Sequence, residues 1–286
     1  MDQQLIDLYD EYQHASLSRR AFMKKLTLLA GGTAAANTLL TLLEDNYALA
    51  ANVPEDDPRL ETGYIEYPAA TGQMRARLTR PKGDAKWPAV LVIHENRGLN
   101  PHIEDVTRRM ALAGFLAIAP DALSPLGGTP ENSDEARTRM RKLDRASTLA
   151  NFVAAAKYLK THPHSTGKVG AIGFCWGGGM ANQIAVNSPD VAAVVPFYGR
   201  QAAVEDVPKI KASLMLHYAG LDKRINSGIA EFETALKKAS IDYTIHMYDG
   251  VNHAFHNDTS VARYDYDAAE LAWERTIAFL KEKLKS

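Results

Sequence analysis

From residue 89 onward, short apolar runs alternate with longer stretches of helical periodicity. The runs lie at 89–93, 115–119, 169–172, 191–195, 213–216 and 243–247, and the helical stretches at 104–113, 133–160, 177–187, 225–239 and 266–284. Near-continuous apolar runs are typical of parallel strands buried on both faces. The alternation therefore predicts an α/β fold, with a mostly parallel sheet and helices on both faces. An antiparallel hairpin is predicted ahead of it, from alternating segments at 64–68 and 74–80.

Composition limits the kinds of partner and site that this chain can have. Its 286 residues are 46% hydrophobic, which is enough for one large core, and its formal net charge of −1 gives no reason to expect nucleic acid or an anionic membrane surface as partner. The single cysteine, Cys175, excludes an intramolecular disulfide and any zinc site that needs several thiolates.

Residues 1–50 differ in pattern from residues 51–286, and we expect these to be two separate units. Arg19 and Arg20, with Phe22 two positions later, precede a weakly apolar stretch at 26–43 and a small-residue cleavage site at 48–50. This arrangement is typical of a bacterial twin-arginine signal, so we expect a periplasmic or otherwise exported protein that meets the twin-arginine export machinery. The alternative is an amphipathic N-terminal helix that stays attached and packs against the body.

A candidate nucleophile lies between the run at 169–172 and the helical stretch that follows it. The segment Gly173-Phe174-Cys175-Trp176-Gly177 is G-x-C-x-G, the form of a nucleophile elbow with cysteine in place of serine. A helix N-terminus favours a thiolate and leaves backbone N–H groups for an oxyanion. Cys175 is therefore the candidate nucleophile and the Trp176 N–H a candidate oxyanion donor. The alternative is a tight turn whose cysteine only packs.

Polar residues that could serve as acid and base follow the next strands in the order that such elbows require. Asp222 follows the run at 213–216 and His253 follows the run at 243–247, which suits an acid that orients a catalytic histidine. Asp249 is the alternative acid, although it is close in sequence to His253. After the run at 89–93, Asn96 offers a second oxyanion N–H, and Glu95 adds a carboxylate whose alternative interpretation is a solvated loop residue.

Together these residues resemble the dienelactone hydrolase family, which has the α/β-hydrolase fold, over roughly residues 63–280. The shared features are the glutamate after the first long strand, the G-x-C-x-G-G elbow, the aspartate loop and the segment G-x-x-H-x-F at 250–255. The resemblance implies a carboxylic ester hydrolase of the carboxymethylenebutenolidase type, with no cofactor and with Cys175, His253 and Asp222 as its triad. It also implies that Glu95 takes the thiol proton when substrate binds.

The chain departs from the family at the site for the substrate carboxylate. The best-known members hold this group with arginines, one of them shortly after the catalytic histidine, where this chain has His256 and Asn257. We therefore consider Arg263 and either Arg137 or Arg139 as candidates for that contact. Two tyrosines at strand ends are candidates for pocket lining, Tyr198 and Tyr218. No metal site is predicted, because the histidine pairs at 253/256 and 162/164 lack the helical HExxH pattern.

The predicted function is cleavage of a small-molecule ester or lactone through a thioester acyl-enzyme. Two alternatives remain open at this point. One is a non-catalytic exported binding protein on the same fold, and the other is a thiol-dependent acyltransferase that passes the acyl group to an alcohol.

Overall fold

The computed structural model of the protein describes residues 1–14, 17–50 and 52–285, and the statements below refer to these residues. The strands are β1 (Leu60–Ala69), β2 (Gly72–Pro81), β3 (Trp87–Ile93), β4 (Leu116–Pro120), β5 (Ser165–Phe174), β6 (Val191–Phe197), β7 (Ser213–Ala219) and β8 (Tyr243–Tyr248). The α-helices are α1 (Gln3–His14), α2 (Arg19–Ala30), α3 (Thr33–Leu43), α4 (Pro101–Leu112), α5 (Ser133–Met140), α6 (Arg145–Thr161), α7 (Trp176–Asn187), α8 (Lys223–Asn226), α9 (Ile229–Lys238) and α10 (Tyr266–Lys283).

The eight strands form one sheet in the order β1-β2-β4-β3-β5-β6-β7-β8. β1 and β2 are an antiparallel hairpin, β2 pairs antiparallel with β4, and all the other neighbours are parallel. Alternate residues of β3 enter different buried clusters: Leu91 and Ile93 pack with α6, α7 and α9, whereas Val90 and Val92 pack with α4 and α10. The predicted α/β fold is confirmed, with its mostly parallel sheet, its helices on both faces and its N-terminal hairpin.

Two stretches predicted as single helices are each divided in the structure. The stretch at 133–160 consists of α5 and α6, because the chain turns before Asp144, whose side chain caps α6 by accepting a hydrogen bond from the Ser147 N–H at 2.9 Å. The stretch at 225–239 belongs to α8 and α9, which are separated at Ser227 and Gly228. In both places helical periodicity continues through the break, so it could not locate the cap that starts a new helix.

The N-terminal helices α1, α2 and α3 pack on one another and on the body. Tyr9, Tyr12, Phe22 and Leu26 are almost fully buried in their shared cluster, and the rings of Tyr12 and Phe22 stack with centroids 4.4 Å apart. Arg19, the first residue of the arginine pair, forms an ion pair with Asp134 of α5. This packing is the one expected if the segment stays attached, whereas export and cleavage near residue 50 stay predictions.

The same N-terminal helices give the only feature of membrane-spanning character in the described ranges. No single helix there has both the length and the apolar composition needed to cross a bilayer. The segments Arg19–Ala30 and Thr33–Leu49 reach that threshold only as a pair, with a bend of 112° between them.

Candidate active site

Cys175 lies at the sharp turn between β5 and α7. Its φ of 55° and ψ of −112° are unusual for a residue with a side chain, and such strain is concentrated at functional sites. The turn needs glycine on either side, because a Cβ on Gly177 would clash with the Ile93 carbonyl and one on Gly173 with the Gly177 carbonyl. The Cys175 N–H donates to the Phe197 carbonyl of β6 at 3.1 Å. The thiol is thus held at the N-terminus of α7, with the residue 8% exposed.

Asp222 and His253 meet beside this turn, each from the loop that follows its strand. The His253 Nδ1–H donates to Asp222 Oδ2 at 2.5 Å, and the Ile225 N–H donates to Asp222 Oδ1 at 3.1 Å. A ring nitrogen of His253 and Cys175 Sγ lie within 4.8 Å of each other. Asp249, the alternative acid, is exposed. The structure therefore brings together the three residues that the sequence singled out as nucleophile, base and acid.

The charges around His253 favour its protonated form. Burial by itself would lower the pKa of His253, but the negative charges of Cys175 and Asp222 outweigh burial and raise this pKa to about 10. Burial would likewise raise the pKa of Asp222, yet His253 and Arg224 together with hydrogen bonds lower it. This arrangement suits an ion pair between an imidazolium and a thiolate.

Glu95, Asn96 and Trp176, proposed from the sequence as site residues, line the spaces next to Cys175. Glu95 is 6% exposed; its Oε2 accepts a hydrogen bond from Asn257 Nδ2 at 2.8 Å, and its Oε1 has no hydrogen-bond partner in the described chain. Trp176 is the first residue of α7, where backbone N–H groups have no acceptor inside the helix. Asn96 and Trp176 both line the cavity in front of Cys175. Their N–H groups are therefore suitably placed candidates for an oxyanion hole.

His94 supports this arrangement, although sequence reasoning gave it no role. Its Nδ1 donates to the Glu95 carbonyl at 2.6 Å and its Nε2 accepts from the Ala122 N–H at 3.1 Å, which fixes its neutral tautomer. Its ring stacks on Trp176 with centroids 5.4 Å apart. Burial lowers the pKa of His94, in keeping with this neutral form.

A cavity of about 790 Å³ opens in front of Cys175 and His253. This volume is in the range of small-molecule sites. No aspartate or glutamate of the described chain lines this cavity. Besides Cys175 and His253, its lining includes five arginines, Arg137, Arg141, Arg145, Arg200 and Arg224.

The residues proposed to contact substrate have different positions. Arg137 and Tyr198 line this cavity, and the Tyr198 ring centroid is 4.9 Å from that of His253. Arg139 is not in this lining and pairs with Glu135 of its own helix. Arg263 lines a smaller recess behind it, together with Glu95 and Cys175. Tyr218 is fully buried in the core and lines neither space.

Sequence reasoning missed the contribution of the N-terminal segment to this site. Gln13 and His14, at the end of α1, line the cavity, and the His14 ring centroid is 4.7 Å from that of His253. Burial and the cation of His253 lower the pKa of His14 well below its usual value, so its imidazole is neutral. The Gln13 carbonyl accepts a hydrogen bond from Asn96 Nδ2 at 3.2 Å. Because the pattern of residues 1–50 resembles an export signal, there was no reason in the sequence to expect that Gln13 and His14 line the cavity.

Asp45 also reaches the site from the N-terminal segment. Its carboxylate lies 3.1 Å from Arg263 Nη2 and 3.7 Å from Arg97 Nη1, and its side chain is 3% exposed. Burial would lower the pKa of Arg263, but Asp45 and Asp10 outweigh it and raise this pKa. The guanidinium proposed for a substrate carboxylate is therefore already paired with a carboxylate of the chain itself.

Comparison with known proteins finds family models and relatives that match this chain. Residues 74–284 match the model of the dienelactone hydrolase family, and residues 1–31 match a family described as YqhI-like. The candidate hydrolase fragment YghX of Escherichia coli (strain K12) is 50% identical over 112 residues, which cover 38% of this chain and 96% of that protein. A candidate carboxymethylenebutenolidase of Saccharolobus solfataricus is 32% identical over 257 residues, covering 77% of this chain and 98% of that protein.

A solved structure shows the same fold. The crystal structure of a candidate dienelactone hydrolase from Klebsiella pneumoniae aligns with a TM-score of 0.70 and 26% identity, covering 77% of this chain and 98% of that one. The family model spans most of the chain and includes the elbow and the loops that carry Asp222 and His253. The chain therefore belongs to the dienelactone hydrolase family.

Proposed function

We propose that the protein hydrolyses a small ester or lactone that carries an acidic group, with Cys175 as nucleophile. The observation that carries this proposal is the strained elbow, which holds the Cys175 thiol beside a histidine that is itself hydrogen-bonded to a buried aspartate. Strain of this kind persists only where the surrounding structure holds it in place. A binding protein would need neither the strained cysteine nor the Asp222–His253 pair.

The proposed reaction has two steps. The Cys175 thiolate attacks the carbonyl carbon, the oxyanion is stabilised by the N–H groups of Trp176 and Asn96, and His253 gives a proton to the departing alkoxide. In a lactone the ring opens and the new hydroxyl stays on the acyl chain. Water then attacks the thioester, His253 accepts its proton, and the acid is released as the thiolate returns. Following the family resemblance, Glu95 takes the proton from those molecules in which Cys175 is still a neutral thiol when substrate binds, which completes the thiolate population.

The cavity supports an anionic substrate. Five arginines line it, and guanidinium groups bind carboxylates through paired N–H donors. Arg263 is paired with Asp45 in the smaller recess, which points to the larger cavity as the place where an acidic group would bind. The relative in Saccharolobus solfataricus is named for a carboxymethylenebutenolide, a lactone with a carboxylate-bearing substituent.

The test is hydrolysis of p-nitrophenyl acetate and a panel of lactones with and without a carboxylate, by the wild type and by Cys175→Ser. We expect the variant to lose at least about a thousandfold in kcat/KM, as for removal of other nucleophiles. Intact-mass analysis of a rapidly quenched reaction should show one acyl group on the wild type and none on the variant. Equal rates in the two proteins would contradict the mechanism.

The same assay separates hydrolysis from acyl transfer. Adding short alcohols should leave the free acid as the main product if water is the acceptor. An ester that replaces the acid as the main product would indicate the acyltransferase instead.

For localisation, we propose export by the twin-arginine pathway, on the basis of the arginine pair and Phe22 in residues 1–50. Fractionation of cells that produce the tagged full chain should recover it in the periplasm, and the variant Arg19→Lys with Arg20→Lys should remain in the cytoplasm. An unchanged distribution of that variant would contradict the proposal. N-terminal sequencing of the exported protein shows whether His14 and Asp45 are retained.

A further inference from the structure

We propose that His14, Cys175 and His253 form a binding site for Zn²⁺ that closes the nucleophile. A ring nitrogen of His14, the Sγ of Cys175 and a ring nitrogen of His253 all lie within 4.8 Å of one another. The cluster joins α1 of the N-terminal segment to the elbow and to the loop after β8. It requires only that the full chain keeps this segment.

Two of the three ligands point unsatisfied nitrogens into buried space. The Nε2 atoms of His14 and His253 are buried and have no hydrogen-bond partner among the described residues. The His253 side chain is 1% exposed. A buried imidazole nitrogen without a partner is unfavourable, and a bound cation would satisfy both nitrogens together.

The arrangement around His253 is also that of a metal-binding histidine. Its other nitrogen, Nδ1, donates to Asp222 Oδ2 at 2.5 Å, so the ring orientation is fixed with Nε2 towards the cluster, where a bound Zn²⁺ would displace the proton that Nε2 carries in the imidazolium. Carboxylate–histidine–zinc arrangements use this hydrogen bond to orient the ligand. The catalytic Asp222–His253 pair thus presents a ready ligand to an ion as well as to a thiol.

The distances and ligand types favour zinc among the common divalent ions. In a tetrahedral site with Zn–N near 2.0–2.1 Å and Zn–S near 2.3 Å, neighbouring ligand atoms lie about 3.3–3.6 Å apart. The ligand atoms here need to approach by at most about 1.5 Å to reach this geometry, and His14 can supply much of that movement because it is only partly buried. One thiolate and two imidazoles exclude Mg²⁺ and Ca²⁺, which prefer oxygen ligands. The fourth position faces the cavity and would take water.

Zinc at this site would inhibit turnover. The ion would occupy the sulfur lone pair that attacks the carbonyl and the imidazole nitrogen that carries the proton, so both steps proposed above would stop. The inhibition rests on the proposed function, whereas the binding does not. Removal of the ion by a chelator would restore the free thiolate without any change in oxidation state.

The experiment uses the full chain, stripped with a chelator and titrated with Co²⁺ as a spectroscopic substitute and then with Zn²⁺. We expect one ion per chain, visible d–d bands of tetrahedral Co²⁺, and a near-ultraviolet charge-transfer band from thiolate to cobalt. This spectral result needs no substrate, so it can succeed or fail independently of the proposed hydrolysis. Failure to observe the thiolate band would overturn the proposal.

Variants decide whether His14 is a ligand. His14→Gln should weaken Zn²⁺ binding by at least about tenfold. Replacing a residue that only orients a metal ligand already lowers metal affinity about 10–100-fold, and loss of a ligand should cost no less. His14→Cys supplies a new zinc ligand at the same place and should restore tight binding, which distinguishes ligation from simple displacement of α1. His164→Gln removes a histidine far from the cluster and serves as the matched control. Affinity unchanged in His14→Gln, or lost equally in His164→Gln, would overturn the assignment.

The inhibition is measured within each protein as the ratio of ester hydrolysis with and without Zn²⁺. Micromolar Zn²⁺ should suppress the wild type reversibly, and a chelator should recover the rate. His14→Gln should need at least about ten times more Zn²⁺ for the same fractional suppression. Equal Zn²⁺ sensitivity of the two proteins would show that the ion acts elsewhere.

Discussion

At the scale of single residues, the hydrogen bond from His253 to Asp222 favours Asp222 over Asp249 as the proposed catalytic acid. Asp222→Asn keeps the size of the side chain but removes the charge that stabilises the imidazolium, so we expect kcat to fall about 10³–10⁴-fold. Asp249→Asn, an exposed change near the same histidine, should stay within about twofold. Steady-state kinetics of both variants checks this, and a similar loss in the two would contradict the assignment.

The same residue scale gives a dependence of stability on pH. The folded-state pKa of His253 is raised to about 10, above its value near 6.5 in an unfolded chain. Folding therefore takes up a proton between these limits, and the stabilisation is complete below about pH 6.5 and is lost as the pH rises towards 10.

Urea unfolding of the wild type and Cys175→Ser between pH 6 and 10 measures this effect. The serine variant lacks the thiolate charge that contributes most to raising the pKa of His253, so its decline in unfolding free energy should begin at lower pH. Parallel pH profiles of the two proteins would show that this charge does not act on the histidine.

At the scale of elements, we expect Asp45 to contribute to the contact of the N-terminal segment with the body. Its carboxylate joins Arg263 and Arg97 in a buried setting, and the Arg97 Nη2 also donates to Tyr9 Oη at 2.8 Å. Asp45→Asn leaves two buried guanidinium groups without this charge, and removal of one partner of a buried ion pair typically costs about 3–5 kcal/mol. We expect faster tryptic cleavage at the basic residues of α2 and a lower free energy of unfolding.

Glu44→Gln is the matched control for this variant. Glu44 is the neighbouring acid, but its pair with Arg19 spans 3.6 Å with the Glu44 side chain 39% exposed, so its loss should cost only about 0–1 kcal/mol. Equal protease sensitivity of Asp45→Asn and the wild type would show that the segment is held by its apolar cluster alone.

At the scale of the whole molecule, separate helices and strand ends place their arginines around one cavity, which gives the site a positive field. Arg200→Gln should raise KM for a carboxylate-bearing ester about three- to tenfold at low salt and leave a neutral ester within about twofold. Lys211→Gln removes the same charge from an exposed position outside the cavity lining and is the control. A similar change in KM for both esters would show that Arg200 does not recognise charge.

The local signals in the sequence were sufficient for the fold and for the residues of the proposed triad. Continuous apolar runs identified the parallel strands, and the glycines around Cys175 identified the elbow, because each of these features depends on a few neighbouring residues. Asp222 and His253 each follow one of two successive parallel strands, so the sequence predicted that both lie at the carboxyl-terminal edge of the sheet. The sequence did not predict the helix boundaries at Asp144 and Gly228, because the helical periodicity of apolar residues continues through them.

The sequence by itself determined the sheet, its helical layers and the loops that carry Cys175, Asp222 and His253, since these follow from periodicity and short motifs. Only the tertiary structure decided that His14 and Asp45 reach the site, because those contacts join residues 52 or more positions apart in the chain through packing. It likewise decided that Tyr218 enters the core while Tyr198 faces the cavity. The two tyrosines follow neighbouring strands with similar signals, and the direction of a side chain depends on what packs above it.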